Sequence, residues 1–362
     1  QKFSGGDKKP TGTFDNGATS GELRVLARAY RVMGDARYKQ AFLRGFDHVL
    51  KAQYPNGGWP QFYPLSKRYH RHVTFNDGTM IRLMEFLRDA TVDEDYSFLD
   101  EERRKLAERA VEHGVDCIVK CQIVVDGVPT AWCAQHDAET LVPVQARSYE
   151  LPSLSGAESA GILIFLMSLE KPTPGVIRAV KAGAAWFDLA KIEGYRYRKS
   201  RTEQALTKDP KASPLWARFY EIKSNRPIFS DRDGVVKYDI EEIGSERRGG
   251  YTWYGNWGDR VAKTYAEWPH RSTDVEEYKS FKRATSNLGN SPKTDKSWRT
   301  WTSARPLRAM RRAQYERGGA RNDVSRWEIS KSGRLDLNQR PLRPERRQKI
   351  TRGSSESPLA AP

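Results

Sequence analysis

The sequence predicts a mainly α protein built from paired helices, and three observations predict it. Apolar residues recur at three- and four-residue spacing through successive segments. Those segments come in twos separated by short Gly- or Asp-marked turns, and each pair is followed by a long loop. Period-two alternation, the mark of half-buried strands, is scarce. An α/α arrangement of helical hairpins, with functional loops gathered at one end, is the expected architecture.

In chain order, residues 1–12 are rich in Gly, Lys and Pro and read as a frayed lead-in. Ser20 is expected to cap a helix carrying Leu23, Leu26, Ala27, Tyr30 and Met33, closed by Gly34-Asp35. A second helix runs from about Ala36 to Gln53 with Tyr38, Phe42, Phe46, Val49 and Leu50 on one face, completing the first hairpin. The loop from Asn56 to Pro64 follows, too rich in Gly and Pro for regular structure. Its aromatics, Trp59 and Tyr63, suit either sugar stacking or docking onto the core.

The stretch Tyr69 to Met80 leads two histidines and an arginine into Asn76-Asp77-Gly78, immediately before an apolar-periodic segment. Asn76 or Asp77 therefore reads as a helix N-cap, where unpaired N–H groups and a positive helix end favour charged groups. Helices are expected over Thr79–Ala90 and Asp100–Lys120, then a short hairpin about the turn Asp126-Gly127. Ser155 opens another helix through Leu169, and Pro174 opens one from Gly175 to Ala190. From Tyr195 to Asp209 the chain is polar and basic and reads as surface. Three loops dense in arginine and aromatics follow: Trp216–Glu221, Asn225–Gly234 and Arg247–Trp257. Ordinary surface loops are rarely so aromatic, so these are expected to line a site.

With 362 residues the chain can bury a sizeable core, and no apolar run approaches the roughly 18 residues of a membrane span. The net charge of +16 suggests nucleic acid until its distribution is read. Residues 271–362 hold 22 Lys and Arg against 10 Asp and Glu, so most of the excess lies in the last quarter. Beyond about Trp268 there is no sustained periodicity, and the string SGRLDLNQRPLRPERR looks like a translation through a transfer-RNA gene. Residues 269–362 are therefore expected to be a disordered basic tail of out-of-frame or read-through origin, and residues 1–268 the functional domain. Cys117, Cys121 and Cys133 lack a zinc spacing and read as buried free thiols.

Several strings together resemble the catalytic module of family-10 pectate lyases: DNGATSGELRVLARAY (Asp15–Tyr30), YPNGGWPQFYPL (Tyr54–Leu65), YHRHVTFNDG (Tyr69–Gly78), CQIVVDG (Cys121–Gly127), WCAQHD (Trp132–Asp137), YELPSLSGAES (Tyr149–Ser159), WARFYE (Trp216–Glu221) and YTWYGNW (Tyr251–Trp257). The likeness is collinear over roughly residues 15–260. It implies an α/α toroid, an incomplete barrel of helical hairpins, and calcium-dependent cleavage of α-1,4-polygalacturonate by β-elimination. It further implies a secreted or periplasmic enzyme acting as a monomer, although the chain begins at Gln1 without a signal peptide. Nucleic acid and membrane are not expected partners.

The residues agree with that chemistry. A polyuronate carries a carboxylate on every sugar, so its site should combine arginines with a metal held by a few acidic groups. Asp77 and Asp137 are the candidate calcium ligands, Asp137 being equally readable as a turn aspartate. The resemblance puts the arginine base at Arg218, with a carboxylate clamp as its other reading. Arg147, Arg226, Arg232 and Arg248 are candidates for either role. His136, Trp59 and Tyr254 are expected to contact substrate, and His70 and His72 either bind sugar hydroxyls or satisfy loop carbonyls. Two rival readings are an α/α-toroid hydrolase using Asp77 and Asp137 as its carboxylate pair, and a nucleic-acid binder driven by the tail.

Overall fold

The computed structural model describes residues 12–200 and 203–271. All of them belong to the first of the chain's two units, Gln1–Lys293; the second, Thr294–Pro362, and with it nearly all of the expected tail, lies outside the described residues.

Among the described residues eight α-helices carry the fold: α1 (Ala18–Met33), α2 (Ala36–Lys51), α3 (Thr79–Val92), α4 (Glu101–Cys121), α5 (Gly156–Met167), α6 (Pro174–Ala190), the short α7 (Ser245–Gly250) and α8 (Trp257–Glu267). Helices α1 and α2, α3 and α4, and α5 and α6 pack as hairpins. First members neighbour one another in the order α1, α3, α5, α8, and second members in the order α2, α4, α6. This is the incomplete α/α toroid expected from the sequence. Strands among the described residues pair only in twos, most of them two residues long. Their work is to tie long loops together across the mouth of the hairpins.

The core runs unbroken from Phe14 to Trp268, with Phe42, Phe46, Phe86, Trp59, Trp132, Trp186 and Trp253 among its largest side chains. Caps follow the chemistry of their residues. Asp35 accepts from Arg37 N–H, Asp100 from Arg103 N–H and Thr173 from Val176 N–H at the starts of α2, α4 and α6. Gly34 closes α1 in the left-handed region, bonding back to Tyr30 O. The hairpin about Asp126-Gly127 is present, both turn residues having positive φ. All three cysteines are free and buried. No helix among the described residues is long and apolar enough to cross a membrane.

Three expectations are corrected or extended. Helix α1 starts at Ala18, so Ser20 lies inside its first turn rather than capping it. The polar, basic segment read as surface is exposed along most of its length but is regular, an antiparallel hairpin of Tyr195–Lys199 with Gln204–Lys208; charges crowd its outer face while Tyr195, Tyr197 and Leu206 face the core. Helix α8 starts at Trp257, the last residue of the expected loop Arg247–Trp257, with Trp257, Val261 and Tyr265 at helical spacing on its inner face.

Candidate active site

The site begins with Asp77. The N-cap of α3 is Gly78 at φ 73°, and Asp77, at φ 51° in the turn Asn76–Gly78, makes no capping bond. The expected capping role is thus not used, and the carboxylate is turned toward the centre of the hairpins. A twin of this turn precedes α1: Phe14-Asp15-Asn16-Gly17 repeats Phe75-Asn76-Asp77-Gly78, with Asn16 at φ 51° and Gly17 at φ 70°. The two turns lie side by side. Arg82 of α3 runs between them; a Cβ on either Gly17 or Gly78 would stand 3.2 Å from its side chain.

Arg218 reaches Asp77 from a strand junction. Trp216–Ala217 pairs with Tyr254–Gly255, and Phe219–Tyr220 pairs with Leu154–Ser155, so Arg218 is pinned between two ladders. Its N–H donates to Trp253 O at 2.6 Å and its carbonyl accepts from Gly156 N–H at 2.8 Å. Its Nη2 donates to Glu158 Oε1 (2.6 Å), Asp77 Oδ1 (3.2 Å) and Asn76 Oδ1 (3.4 Å), and the guanidinium stands 4.6 Å over the Tyr251 ring. The other Glu158 oxygen accepts the Ser155 hydroxyl.

A second arginine continues the chain of charges. Tyr251 O–H donates to Glu150 Oε1 at 2.8 Å, and Glu150 takes a two-pronged contact from Arg147, Nε to Oε2 at 2.8 Å and Nη2 to Oε1 at 2.5 Å. Glu158 and Glu150 are each only 2% exposed and Arg218 10%, whereas Asp77 is 32% and Arg147 38% exposed. The middle of the network is therefore dry, and its two ends, an acid and a base, face outward.

Electrostatics lock these charges. Burial lowers the proton affinity of Arg218, but Glu158, Tyr251 and Asp77 more than offset it and hold the guanidinium protonated. Arg147 is treated alike, burial being overcome by Glu150. Burial raises the Glu150 carboxyl, and Arg147 and the Tyr251 hydroxyl bring it below the ordinary carboxylate range.

The loop carrying Tyr251 is held by Gln204, whose side chain is fully bonded. Its Nε2 donates to Arg248 O (2.5 Å) and Tyr251 O, and its Oε1 accepts from Tyr197 O–H (2.5 Å) and Trp253 N–H (3.2 Å).

The remaining candidates divide. Arg232 pairs with Glu246, which also holds Arg247, and Arg247 lies 4.4 Å over Tyr149 near Arg147, so this arginine belongs to the rim of the same region. Arg226 lies instead over Tyr238 at 3.9 Å, and Arg248 pairs with Glu203. Three expected substrate contacts are core groups. Trp59 is fully buried with its N–H on Val49 O, and Tyr254 is packed between Tyr197 and Phe229. His136 is fully buried; Nε2 accepts from Cys133 N–H and Nδ1 donates to Leu141 O, and burial lowers its pKa to about 4, leaving a neutral ring with no free nitrogen. Both histidine and tryptophan were drawn into the site by loop position, which does not say which way a side chain faces.

Asp137 is a turn former. Its Oδ1 accepts from Glu139 N–H, Thr140 N–H and the Thr140 hydroxyl. Burial raises its carboxyl, and those bonds lower it more. Sequence reasoning missed Glu158, Glu150 and Tyr251. The signal for Glu158 was a lone carboxylate in the apolar run GAESAGILIFLM, which is intolerable unless paired.

Helical hairpins whose mouth holds arginines compensated by buried carboxylates form the site. The family model described as pectic acid lyase matches residues 1–262. A family 10 polysaccharide lyase from Cellvibrio cellulosa is 39% identical with a TM-score of 0.69, the match covering 74% of this chain and 84% of that one. An aspartate-to-alanine mutant of that enzyme, in complex with trigalacturonic acid, matches with the same values. No match was found among curated proteins. The chain belongs to the pectic acid lyase family, and it is a polysaccharide lyase.

Proposed function

We propose that the chain is a calcium-dependent pectate lyase that cleaves α-1,4-polygalacturonate by β-elimination, leaving 4,5-unsaturated oligogalacturonides outside the cell or in the periplasm. The observation that carries this reading is the buried network with an acid, Asp77, and a guanidinium, Arg147, at its open ends. A substrate with a carboxylate on each sugar complements both.

Asp77 and Asp15 are the residues that would hold calcium. Asp15 Oδ1 is buried without a hydrogen-bond partner, an arrangement that suits a missing hard cation. No group of three His, Cys, Asp or Glu ligands occurs among the described residues, so substrate oxygens would complete the coordination. When bound there, calcium would withdraw the negative charge that develops on the C6 carboxylate as the C5 proton leaves.

The base is an arginine, and the geometry favours Arg147 over Arg218. Arg218 is sequestered, its Nη2 spent on Asp77, Asn76 and Glu158, and serves as the clamp that orients Asp77. Arg147 uses Nε and Nη2 on Glu150, its Nη1 makes no hydrogen bond among the described residues, and its side chain is 38% exposed, so a substrate proton could be met there. Both are held protonated in the free enzyme, so Arg147 must first release a proton to solvent before it can take the C5 proton, which requires a bound state in which the hold of Glu150 is weakened. Arg232 and Arg247 supply neighbouring positive charge that acts in that direction.

The test is ultraviolet absorbance of the unsaturated product from polygalacturonate, with calcium and with chelator, in the parent and in Arg147→Lys and Arg218→Lys. Absorbance should require calcium. Arg147→Lys should lose at least a hundredfold in kcat with KM little changed, since charge survives and position does not. Products without the absorbance would overturn elimination, and a larger kcat loss for Arg218→Lys would return the base to that residue.

A further inference from the structure

Between helices α5 and α8 lies an open hollow of about 420 Å3, floored by Ala157, Gly161 and Ile164 and walled by Trp257, Asp259 and Arg260. It opens on a different face of α5 from the one that presents Glu158 to Arg218. Its floor is uncharged and bare, for a Cβ at Gly161 would meet no atom within 4 Å.

Trp257 is placed unlike five of the buried tryptophans. Trp59, Trp132, Trp186, Trp216 and Trp253 are buried, and each donates its indole N–H to an oxygen of the protein. Trp257 is only partly buried, and its N–H has no partner among the described residues. It is nonetheless fixed. Gly255 lets the backbone lie against the indole: a Cβ there would stand 2.6 Å from Cε2, 2.8 Å from Cζ2 and 3.0 Å from Cδ2. Gly156 backs the ring at Cε3, 3.5 Å from where its Cβ would be. Such a ring, rigid and backed by main chain but open on the cavity side, costs no ordering when something stacks on it.

The polar groups around the ring are unspent. The side chains of Asn256, Asp259 and Arg260 have no intramolecular partner among the described residues. A flat apolar ring, a free guanidinium, and free carboxylate and amide acceptors around a concave pocket are the groups that hold an acidic sugar. The ring covers a C–H face, arginine takes the carboxylate, and the acceptors take hydroxyls.

We propose that this cavity is a second carbohydrate site, taking a uronate unit of an acidic polysaccharide on Trp257 and Arg260. It rests on the reading of polygalacturonate as substrate, and it would hold the polymer to the wall of the enzyme between cleavages without touching the reacting sugar.

The experiment is electrophoresis of the full chain through gels containing polygalacturonate and chelator, beside turnover of trigalacturonate in calcium. Trp257→Ala and Arg260→Gln should each lose at least half of the retardation seen for the parent, while kcat/KM on the trimer stays within about twofold. Arg260→Gln lies on the surface and guards against a Trp257→Ala chain that fails to fold, which thermal unfolding would reveal. Parental retardation in both variants would overturn the site, as would equal loss of retardation in fully methyl-esterified pectin, which has no carboxylate for Arg260. Absence of ultraviolet product from every variant would sink the lyase reading and leave the retardation comparison standing.

Discussion

The contact most open to quantitative test is the buried pair of Arg218 and Glu158, and the perturbation is Glu158→Gln. The substitution keeps shape and one acceptor oxygen but removes a charge that is 2% exposed and 2.6 Å from Arg218 Nη2. Stripping a buried charge of its only partner costs about 3–5 kcal/mol. Here Arg218 keeps Asp77, at 3.2 Å and 32% exposed, which is screened and compensates only in part. A loss of about 2–3 kcal/mol is therefore expected. For a domain of this size about 1 kcal/mol moves Tm by roughly 2–4 °C, so Tm should fall by about 4–12 °C, read by circular dichroism. Arg218→Met alone should cost more, because it leaves Glu158 with only the Ser155 hydroxyl. The double variant should recover part of that loss. A coupling energy below about 0.5 kcal/mol in this cycle would refute the claim that the pair organises the site.

Three other outcomes follow from the same geometry. His136 titrates near 4 in the fold because it is buried, against about 6.5 when unfolded, so the unfolded chain binds more protons between those values. Stability should fall by about 3 kcal/mol as pH drops through that window, and His136→Gln should flatten the slope measured by thermal unfolding. Asp15→Asn and Asp77→Asn should each raise the calcium concentration for half-maximal activity at least tenfold; Asp137→Asn should leave it unmoved and lower Tm instead. An equal shift for Asp137 would restore it as a ligand. Gln204→Leu and Gln204→Glu should each lower kcat at least tenfold through misplacement of Tyr251, since neither side chain can donate to Arg248 O and Tyr251 O; small effects from both would reduce Gln204 to a packing role.

The hairpins were legible because each helix pairs a one-sided apolar stripe with its own cap chemistry, as α2 does with Asp35 before Phe42, Phe46 and Val49. What stayed hidden was structure whose pattern is weak or interrupted. The hairpin at Tyr195–Lys208 keeps only three inward apolar residues among exposed charges, and α8 follows directly on aromatic loop residues. Of the site, Asp77, Arg147 and Arg218 were nominated from sequence and do converge, but their meaning depends on partners far along the chain. Arg218 meets Asp77 across 141 residues, and Tyr251 meets Glu150 across 101. A sequence displays charges singly, whereas burial permits them only in compensated sets. Glu158 and Glu150 were invisible for that reason: their function is to be the other half of an arginine.

The twin turns carry the argument one step further. Both have a left-handed third residue and a left-handed glycine, so their backbones are near copies, yet the acid and the amide are exchanged: Asp15-Asn16 in one, Asn76-Asp77 in the other. Identical backbones side by side therefore present their carboxylates from different positions of the turn. Had both turns carried the acid at the same position, the two carboxylates would point alike and repel with little to share. With the order exchanged, one acid engages Arg218 and the other keeps a buried oxygen without a partner. On the proposal that the enzyme uses calcium, a cation that takes oxygens from several directions would be the group to satisfy both acids.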